Sequence, residues 1–180
     1  MAASPTSNSL EKYKKAVILR GGSTLYLRPI QSEDEERLLA LFYPLSRHTV
    51  YLRFHHVLTQ MSKEEVRRFC TVDYDDTFAL VATVGEGREE KIIAVGRYFR
   101  LPKRETAEVA FVVEDKYQGR GIGTHLLQQL AIIAKEKSIH CFEADVLAEN
   151  QEMMQVFRDS GFKVAQELED GIYRVVLVII

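Results

Sequence analysis

The spacing of hydrophobic and polar positions changes several times along this chain, and each change predicts a different element. Residues 1–12 are mostly polar, and we expect this segment to be flexible. Short apolar runs then predict two strands, at residues 16–19 and 24–28. Residues 13–180 are predicted to form a single domain, because no long linker interrupts them.

Three helices are predicted next, since apolar residues recur there at helical spacing. Ser32 with Glu35, and Ser62 with Glu65, have the spacing of a capping box, in which a serine and a glutamate satisfy free N–H groups at a helix start. These pairs predict where two of the helices begin. The remaining helix is predicted between them, at residues 46–57.

Alternating apolar residues then predict an antiparallel meander, with strands at residues 78–84, 92–99 and 107–113. Helical spacing returns at residues 125–136, where the apolar side chains form one stripe. Four more elements follow: a strand, a helix and two strands, at residues 140–147, 150–160, 162–168 and 172–180.

A glycine-rich segment, QGRGIGT at residues 118–124, connects the third strand of the meander to the next helix. A helix start offers unpaired N–H groups and a positive dipole end, which together suit a phosphate. A P-loop would need a lysine after Gly123, and a dinucleotide fingerprint would need glycine at Leu126. The alternative is a tight turn, but three spaced glycines favour close approach of the backbone to a ligand.

Composition narrows the class of protein further. The 180 residues carry a net charge of −2, which argues against nonspecific binding of nucleic acid. No apolar run approaches the roughly 20 residues that cross a bilayer, so no membrane association is expected. Two cysteines are too few for a disulfide scaffold or a thiolate zinc site, and a cytoplasmic location is expected.

The pattern Q-x-x-G-x-G between a strand and a helix resembles the coenzyme A pyrophosphate loop of the GNAT (GCN-related N-acetyltransferase) superfamily. The order of elements resembles that family too. The resemblance implies a mixed α/β fold: a mostly antiparallel, twisted sheet, a splay between two central strands, and helices on both faces. The segments YLRFHH and VDYDD are similar to the GNAT domain of bacterial Pat-type protein lysine acetyltransferases.

This resemblance implies an acetyl-CoA-dependent N-acetyltransferase that acts on lysine side chains of proteins such as acyl-CoA synthetases. Two alternatives remain open: an acetyltransferase for small amines or amino acids, and a noncatalytic acyl-CoA sensor. No metal is expected, and the protein is expected to be a monomer or a dimer. Pat-type domains are often fused to other modules. If this chain is such a domain, the natural protein is expected to continue beyond Ile180.

Glu108 is the candidate general base. Acyl transfer needs a neutral amine, and removing the proton from a lysine of pKa about 10.4 at pH 7.4 costs about 4 kcal/mol. On the predicted strand, Glu108 shares a face with Ala110 and Val112, so we expect a partly desolvated carboxylate. The alternative is a surface salt bridge. Glu114 and Asp115 are predicted to be solvated loop residues rather than bases.

The resemblance also implies which residues bind the coenzyme. Main-chain groups of Phe111, Val112 and Val113 would pair with pantetheine as an added strand. The pyrophosphate would lie on Gln118, Gly119, Arg120, Gly121, Ile122, Gly123 and Thr124. Asn150 would open a helix beside the coenzyme, or act only as an ordinary helix cap.

Phe157 stands where GNAT proteins commonly have a tyrosine that protonates the departing thiolate. A thiol of pKa about 8.5 leaves adequately as the thiolate, so we expect activity to be retained. Cys70 and Cys141 are predicted to be buried structural residues.

The helix at residues 46–57 is a candidate for the acceptor side of the site. Arg47, His48, Tyr51 and Arg53 are expected either to line the acceptor entrance or to form a solvated helix face. The histidines lack the pattern of a metal site.

Overall fold

A single eight-stranded sheet forms the centre of the chain in a computed structural model, which describes residues 7–102 and 105–179. In chain order the strands are β1 (Lys15–Ile18), β2 (Thr24–Pro29), β3 (Thr77–Val84), β4 (Lys91–Arg100), β5 (Thr106–Val113), β6 (Cys141–Leu147), β7 (Lys163–Glu169) and β8 (Ile172–Val178). Across the sheet their order is β1-β2-β3-β4-β5-β6-β8-β7. All eight predicted strands are therefore confirmed, with bounds that shift by one or two residues.

Helices cover both faces of the sheet. They are α1 (Ser7–Leu10), α2 (Glu35–Phe42), α3 (Arg47–Phe54), α4 (Lys63–Cys70), α5 (Ile122–Glu136) and α6 (Gln151–Asp159). One core lies between the sheet and α5, and a second core lies beneath α2 and α4 on the opposite face. Among the described residues, no helix combines the length and apolar character that crossing a membrane requires.

The sheet is antiparallel except where β5 meets β6. These two strands run parallel and pair over only three positions, which end at Glu108 and Glu143. Beyond that point β5 pairs with β4 alone, and β6 pairs with β8 alone. The mixed α/β fold with a splay between two central strands is confirmed.

Apolar residues at helical spacing explain how α5 holds this split sheet together. Leu126, Leu130 and Ile133 are fully buried against it. Burying side chains of this size contributes roughly 1.5–3 kcal/mol each. Because α5 packs on β3, β4 and β5, the start of this helix is fixed beside the splayed end of β5.

The capping box predicted at Ser32 and Glu35 is wrong. Residues Ser32–Asp34 form a 3-10 turn before α2, and the Asp34 carboxylate accepts a hydrogen bond from the Gln31 N–H at 2.9 Å. Asp34 is fixed there because Arg28 donates to both of its oxygens, at 2.7 and 2.8 Å. An ion pair between residues six positions apart thus fixes Asp34 where α2 starts.

Local signals did locate the next two helices. The Ser62–Glu65 capping box is confirmed, with hydrogen bonds of 2.8 and 3.2 Å. Helix α3 ends earlier than predicted, at Phe54, because His55 adopts a left-handed conformation with φ of 59°.

The predicted N-terminal segment falls partly outside the described residues, which begin at Ser7. Its remaining part forms α1 and a 3-10 turn at Glu11–Tyr13. Tyr13 is buried, and its hydroxyl donates to Glu136 at 2.8 Å. This contact joins the segment to the end of α5.

The ion pair between Arg28 and Asp34 is buried, with Asp34 only 1% exposed. We expect Asp34→Asn to lower the free energy of unfolding by about 3 kcal/mol, because the Arg28 charge loses a desolvated partner. Urea unfolding monitored by circular dichroism measures this loss.

Asp145→Asn is the matched control, since its contact to Arg174 is 3.9 Å long and both side chains are mostly exposed. That substitution should cost less than about 1 kcal/mol. Equal losses in the two variants would show that the buried pair has no special weight.

Candidate functional site

The splay between β5 and β6 opens a large cleft with a volume of about 1220 Å³. Every residue predicted to act as the base or to bind the coenzyme lines it: Glu108, Phe111, Val112, Val113, Gln118, Gly119, Arg120, Gly121, Ile122, Gly123, Thr124 and Asn150. Residues that are up to 42 positions apart in the chain are thus gathered along one opening.

Two of the three loop glycines are required by the backbone. Gly119 and Gly121 have φ of +71° and +83°, and no atom lies near the position that a Cβ would occupy. A third residue, Gly123, has a different reason, because a Cβ there would lie 3.1 Å from the Val156 side chain. The sequence predicted that all three glycines allow close approach of a ligand. Gly123 has another explanation, because it lets α5 and α6 approach closely.

The loop ends at the start of α5, with Gly121 as its N-cap and no side chain capping the helix. The first N–H groups of a helix have no partner within it. Those of Ile122, Gly123 and Thr124 therefore remain available at the cleft. Together with the positive end of the helix dipole, they form a binding place for an anion.

The Gln118 side chain holds the loop against two other elements. Its Nε2 donates to the Val113 carbonyl at 3.0 Å and to the Thr49 hydroxyl at 3.2 Å. Gln118 thus links the end of β5 to the first turn of α3. The sequence comparison with phosphate loops predicted a role for this residue, but not these partners.

Asp115 completes the link between the loop and α3. Its carboxylate accepts hydrogen bonds from the Ser46 N–H at 3.0 Å, the Ser46 hydroxyl at 2.6 Å and the Thr49 hydroxyl at 2.8 Å. Burial alone would raise the pKa of Asp115, but these hydrogen bonds outweigh it and hold the pKa below its usual range.

The prediction that Glu114 and Asp115 are solvated loop residues is wrong for both. Glu114 is only 3% exposed and forms ion pairs with Lys91 at 3.0 Å and with Lys116 at 3.2 Å. Asp115 is half-buried against α3. The sequence could not reveal these contacts, because Lys91 and Ser46 are distant in the chain.

Glu108 lies where β5 and β6 part, and its side chain is exposed. The partial desolvation expected from its apolar strand is therefore absent in this structure. Val109 is buried on the opposite face of β5, whereas the face that carries Glu108 opens into the cleft. One charged neighbour on that side is Arg53 of α3, whose guanidinium is attracted by the Glu108 carboxylate, and Glu143 of β6 lies opposite Glu108 in the sheet.

The far wall of the cleft is formed by α6. Asn150 is its N-cap, and the Asn150 side chain accepts a hydrogen bond from the Met153 N–H at 3.1 Å. The helix-cap role is therefore confirmed, and the residue also faces the cleft. Phe157 is only 1% exposed and lines the cleft without offering a proton.

Helix α3 contributes part of the set expected at an acceptor entrance. His48 and Arg53 line the cleft, whereas Arg47 and Tyr51 are exposed and are not part of its lining. Arg120 is exposed and donates to the Lys116 carbonyl at 3.1 Å.

Neither cysteine is placed to act as a nucleophile. Cys70 is buried, as predicted, and burial raises its pKa to about 12, so it stays a thiol. The prediction that Cys141 is buried is wrong, since it is half-buried at the start of β6. Within residues 7–102 and 105–179, no three potential ligands come together as a metal site.

We expect Asp115→Asn to lower the free energy of unfolding at neutral pH by about 2 kcal/mol, because charge-assisted hydrogen bonds to α3 are lost. The folded pKa of Asp115 is depressed, so its contribution is full above the unfolded value of about 3.9 and disappears as pH falls further. Urea unfolding at pH 7 and at pH 3 tests this.

Asp159→Asn is the control, since this exposed residue accepts a hydrogen bond from the neighbouring Gln155. The difference between Asp115→Asn and wild type should shrink at pH 3. An undiminished difference at pH 3 would contradict the role assigned to the Asp115 charge.

Comparison with known proteins agrees with this geometry. Residues 37–162 match the sequence model of the Acetyltransferase (GNAT) family. Acetyltransferase Pat of Mycolicibacterium smegmatis is 38% identical over 146 residues, which are 81% of this chain and 43% of that protein. The chain therefore spans less than half the length of this relative.

Solved structures give the same family. The GNAT domain of S. lividans PAT is 36% identical, with a TM-score of 0.84 over 92% of this chain and 96% of that chain. The structure of yncA from Salmonella typhimurium with its cofactor acetyl-CoA is 18% identical, with a TM-score of 0.67 over 87% and 94% of the two chains, and shows likeness of fold alone. Since the family model matches more than half of its length, the chain belongs to the GNAT acetyltransferase family.

Proposed function

We propose that this protein transfers the acetyl group of acetyl-CoA to lysine side chains of proteins, with Glu108 as the general base. The observation that carries the proposal is the shared cleft, which holds a carboxylate on β5 and the N-terminus of α5 along one opening. The 38% identity to a Pat acetyltransferase supports a protein acceptor over a small amine.

The residues along the cleft fit the coenzyme. The open space at the positive-φ glycines Gly119 and Gly121 leaves main-chain N–H groups accessible, and a diphosphate needs such donors. The unpaired edge of β5 at Phe111, Val112 and Val113 suits a chain with amide groups. When bound, acetyl-CoA supplies an activated acyl group as a thioester.

Glu108 receives the proton of the acceptor amine in this proposal. The amine nitrogen bonds to the acyl carbon, its second proton passes to solvent in the open cleft, the carbon–sulfur bond breaks, and the sulfur departs as thiolate. Phe157 cannot protonate that sulfur. A thiol pKa of about 8.5 makes the thiolate an adequate leaving group near neutral pH.

We expect Glu108→Gln to lower kcat/KM at least about 100-fold, because the amine loses its proton acceptor. Acetyl-CoA affinity should be nearly unchanged, since the predicted coenzyme contacts lie elsewhere. Steady-state kinetics and calorimetry separate the two effects.

The matched control is Glu105→Gln, an exposed residue just before β5 that contacts His140 outside the cleft. It should retain wild-type activity. Full activity in Glu108→Gln would remove this residue from the mechanism.

We expect Gly121→Ala to weaken acetyl-CoA binding several-fold, because a left-handed conformation costs a residue with a side chain roughly 1–2 kcal/mol and displaces the loop. Gly87→Ala has the same kind of strain, with φ of +58°, in a turn outside the cleft. Both variants should be destabilised, but calorimetry should find weaker binding for Gly121→Ala alone. Unchanged affinity in that variant would argue against the loop as the pyrophosphate site.

The acceptor class is tested by incubating the protein with labelled acetyl-CoA and either a panel of small amines or an acyl-CoA synthetase. Label on lysines of the synthetase, located by mass spectrometry, would support the proposal. Efficient labelling of a small amine with none on protein would favour the alternative function.

A further inference from the structure

A second, smaller cavity adjoins the cleft beneath helices α2, α3 and α4. Its volume is about 40 Å³, and apolar side chains such as Leu41, Phe54 and Val95 form most of its lining. Two side chains break that pattern, since Arg53 and Arg97 also line it. The cavity and the cleft share Arg53 and the β5 residues Ala110 and Val112 in their linings, so they lie side by side.

Arg97 is a buried cation on β4, only 4% exposed. Its Nη2 donates to the Phe69 carbonyl at 3.2 Å, and its guanidinium lies 4.6 Å from the centre of the Phe69 ring. No carboxylate lies within ion-pair distance of Arg97 in the part of the chain that the structure describes. Burial lowers its pKa to about 10, which shows how poorly its charge is compensated.

Arg53 increases this excess of positive charge. Arg53 is half-buried, desolvation lowers its pKa to about 10, and the attraction of Glu108 only partly opposes that effect. The charges of Arg53 and Arg97 repel each other across the cavity, which lowers the pKa of Arg97 further. An anion placed between two such cations relieves both the repulsion and the missing solvation.

The sheet register places this pair of arginines next to the proposed base. Arg97 is opposite Ala110, and Phe99 is opposite Glu108. Arg97 and Glu108 are thus diagonal neighbours on one face of the sheet, about 7–8 Å apart by the usual spacing. A group held by the arginines would lie within a few atoms of the reacting centre.

A purely structural role explains Arg97 incompletely. Its hydrogen bond to Phe69 caps the end of α4, but uses one of the five N–H groups of a guanidinium. That role also leaves the position of Arg53 at the same cavity without a reason.

We propose that Arg53 and Arg97 form a subsite for one carboxylate group of a reactant, beside Glu108. The cavity has room for a group of that size, because about 10–15 Å³ of such space is enough to hold one water molecule. Planar guanidinium groups suit carboxylates, to which they donate paired hydrogen bonds.

The subsite rests on the proposed acyl transfer from coenzyme A to an amine, and either reactant can carry the carboxylate. One source is a dicarboxylic acyl group, whose far carboxylate would point away from the thioester. The other source is a carboxylate near the acceptor amine. Matched pairs of compounds distinguish these two sources. The members of each pair have the same chain length and differ in whether the carboxylate is present.

For the acyl source, calorimetry compares succinyl-CoA with butyryl-CoA, a binding measurement that does not depend on turnover. For the acceptor source, kcat/KM with acetyl-CoA compares Nα-acetyllysine with its carboxamide. We expect one pair to favour the charged compound at least tenfold. Arg97→Met and Arg53→Met should each reduce that ratio to near one, and Arg97→Lys should retain part of it.

Arg67→Met is the matched control, because Arg67 is exposed on α4 and pairs with Glu35 outside the cavity. It should keep the full preference. Circular dichroism checks that each variant is folded, and Arg53→Met keeps the test valid if Arg97→Met unfolds. Charged-to-neutral ratios within twofold in both pairs, or a preference that survives both methionine variants, would overturn the subsite.

Preference for succinyl-CoA without any transfer would uphold the subsite and count against the proposed function. Transfer to protein lysines without a preference for the charged member of either pair would support the proposed function and count against the subsite.

Discussion

The early end of pairing between β5 and β6 is the constraint on which the rest of this structure depends. Buried main-chain groups must find hydrogen-bond partners, so a sheet split in its middle needs something to occupy the gap. In this chain the gap begins at Glu108, the last residue of β5 that pairs with β6. Helix α5 packs across the sheet and presents its N-terminus at the far end of the same gap. The geometry thus spaces an anion site and a carboxylate along one strand.

A polar network keeps the two sides of this gap in a fixed relation. Asp115 and Gln118 follow β5, and both bind the first turn of α3 through Thr49. The same helix carries Arg53, which faces Glu108 and the small cavity. Movement of the glycine-rich loop at residues 118–124 would therefore shift α3 and the side chains that this helix carries. In the proposed function, these hydrogen bonds connect coenzyme binding to the position of α3.

Much of the fold was predictable because its signals are local. Alternating residues gave the strands, and the Ser62–Glu65 pair located α4. The glycine loop and Glu108 were found for the same reason, since strand, loop and helix are consecutive in the chain. Side-chain ion pairs were missed: Arg28 fixes Asp34, six residues later, at the start of α2, and Lys91 holds Glu114, 23 residues later, in a buried ion pair. No spacing rule reports such partners, because the fold brings them together and not the period of a helix or strand.

The central claim is that one ligand occupies the gap from the unpaired edge of β5 to the N-terminus of α5. Hydrogen–deuterium exchange with and without acetyl-CoA tests it most directly, because it reports on main-chain N–H groups. The account predicts slower exchange at Phe111 to Val113 and at Gly119 to Thr124 together, with little change in β1 and β2. Protection confined to other segments, or none at saturating acetyl-CoA, would contradict it.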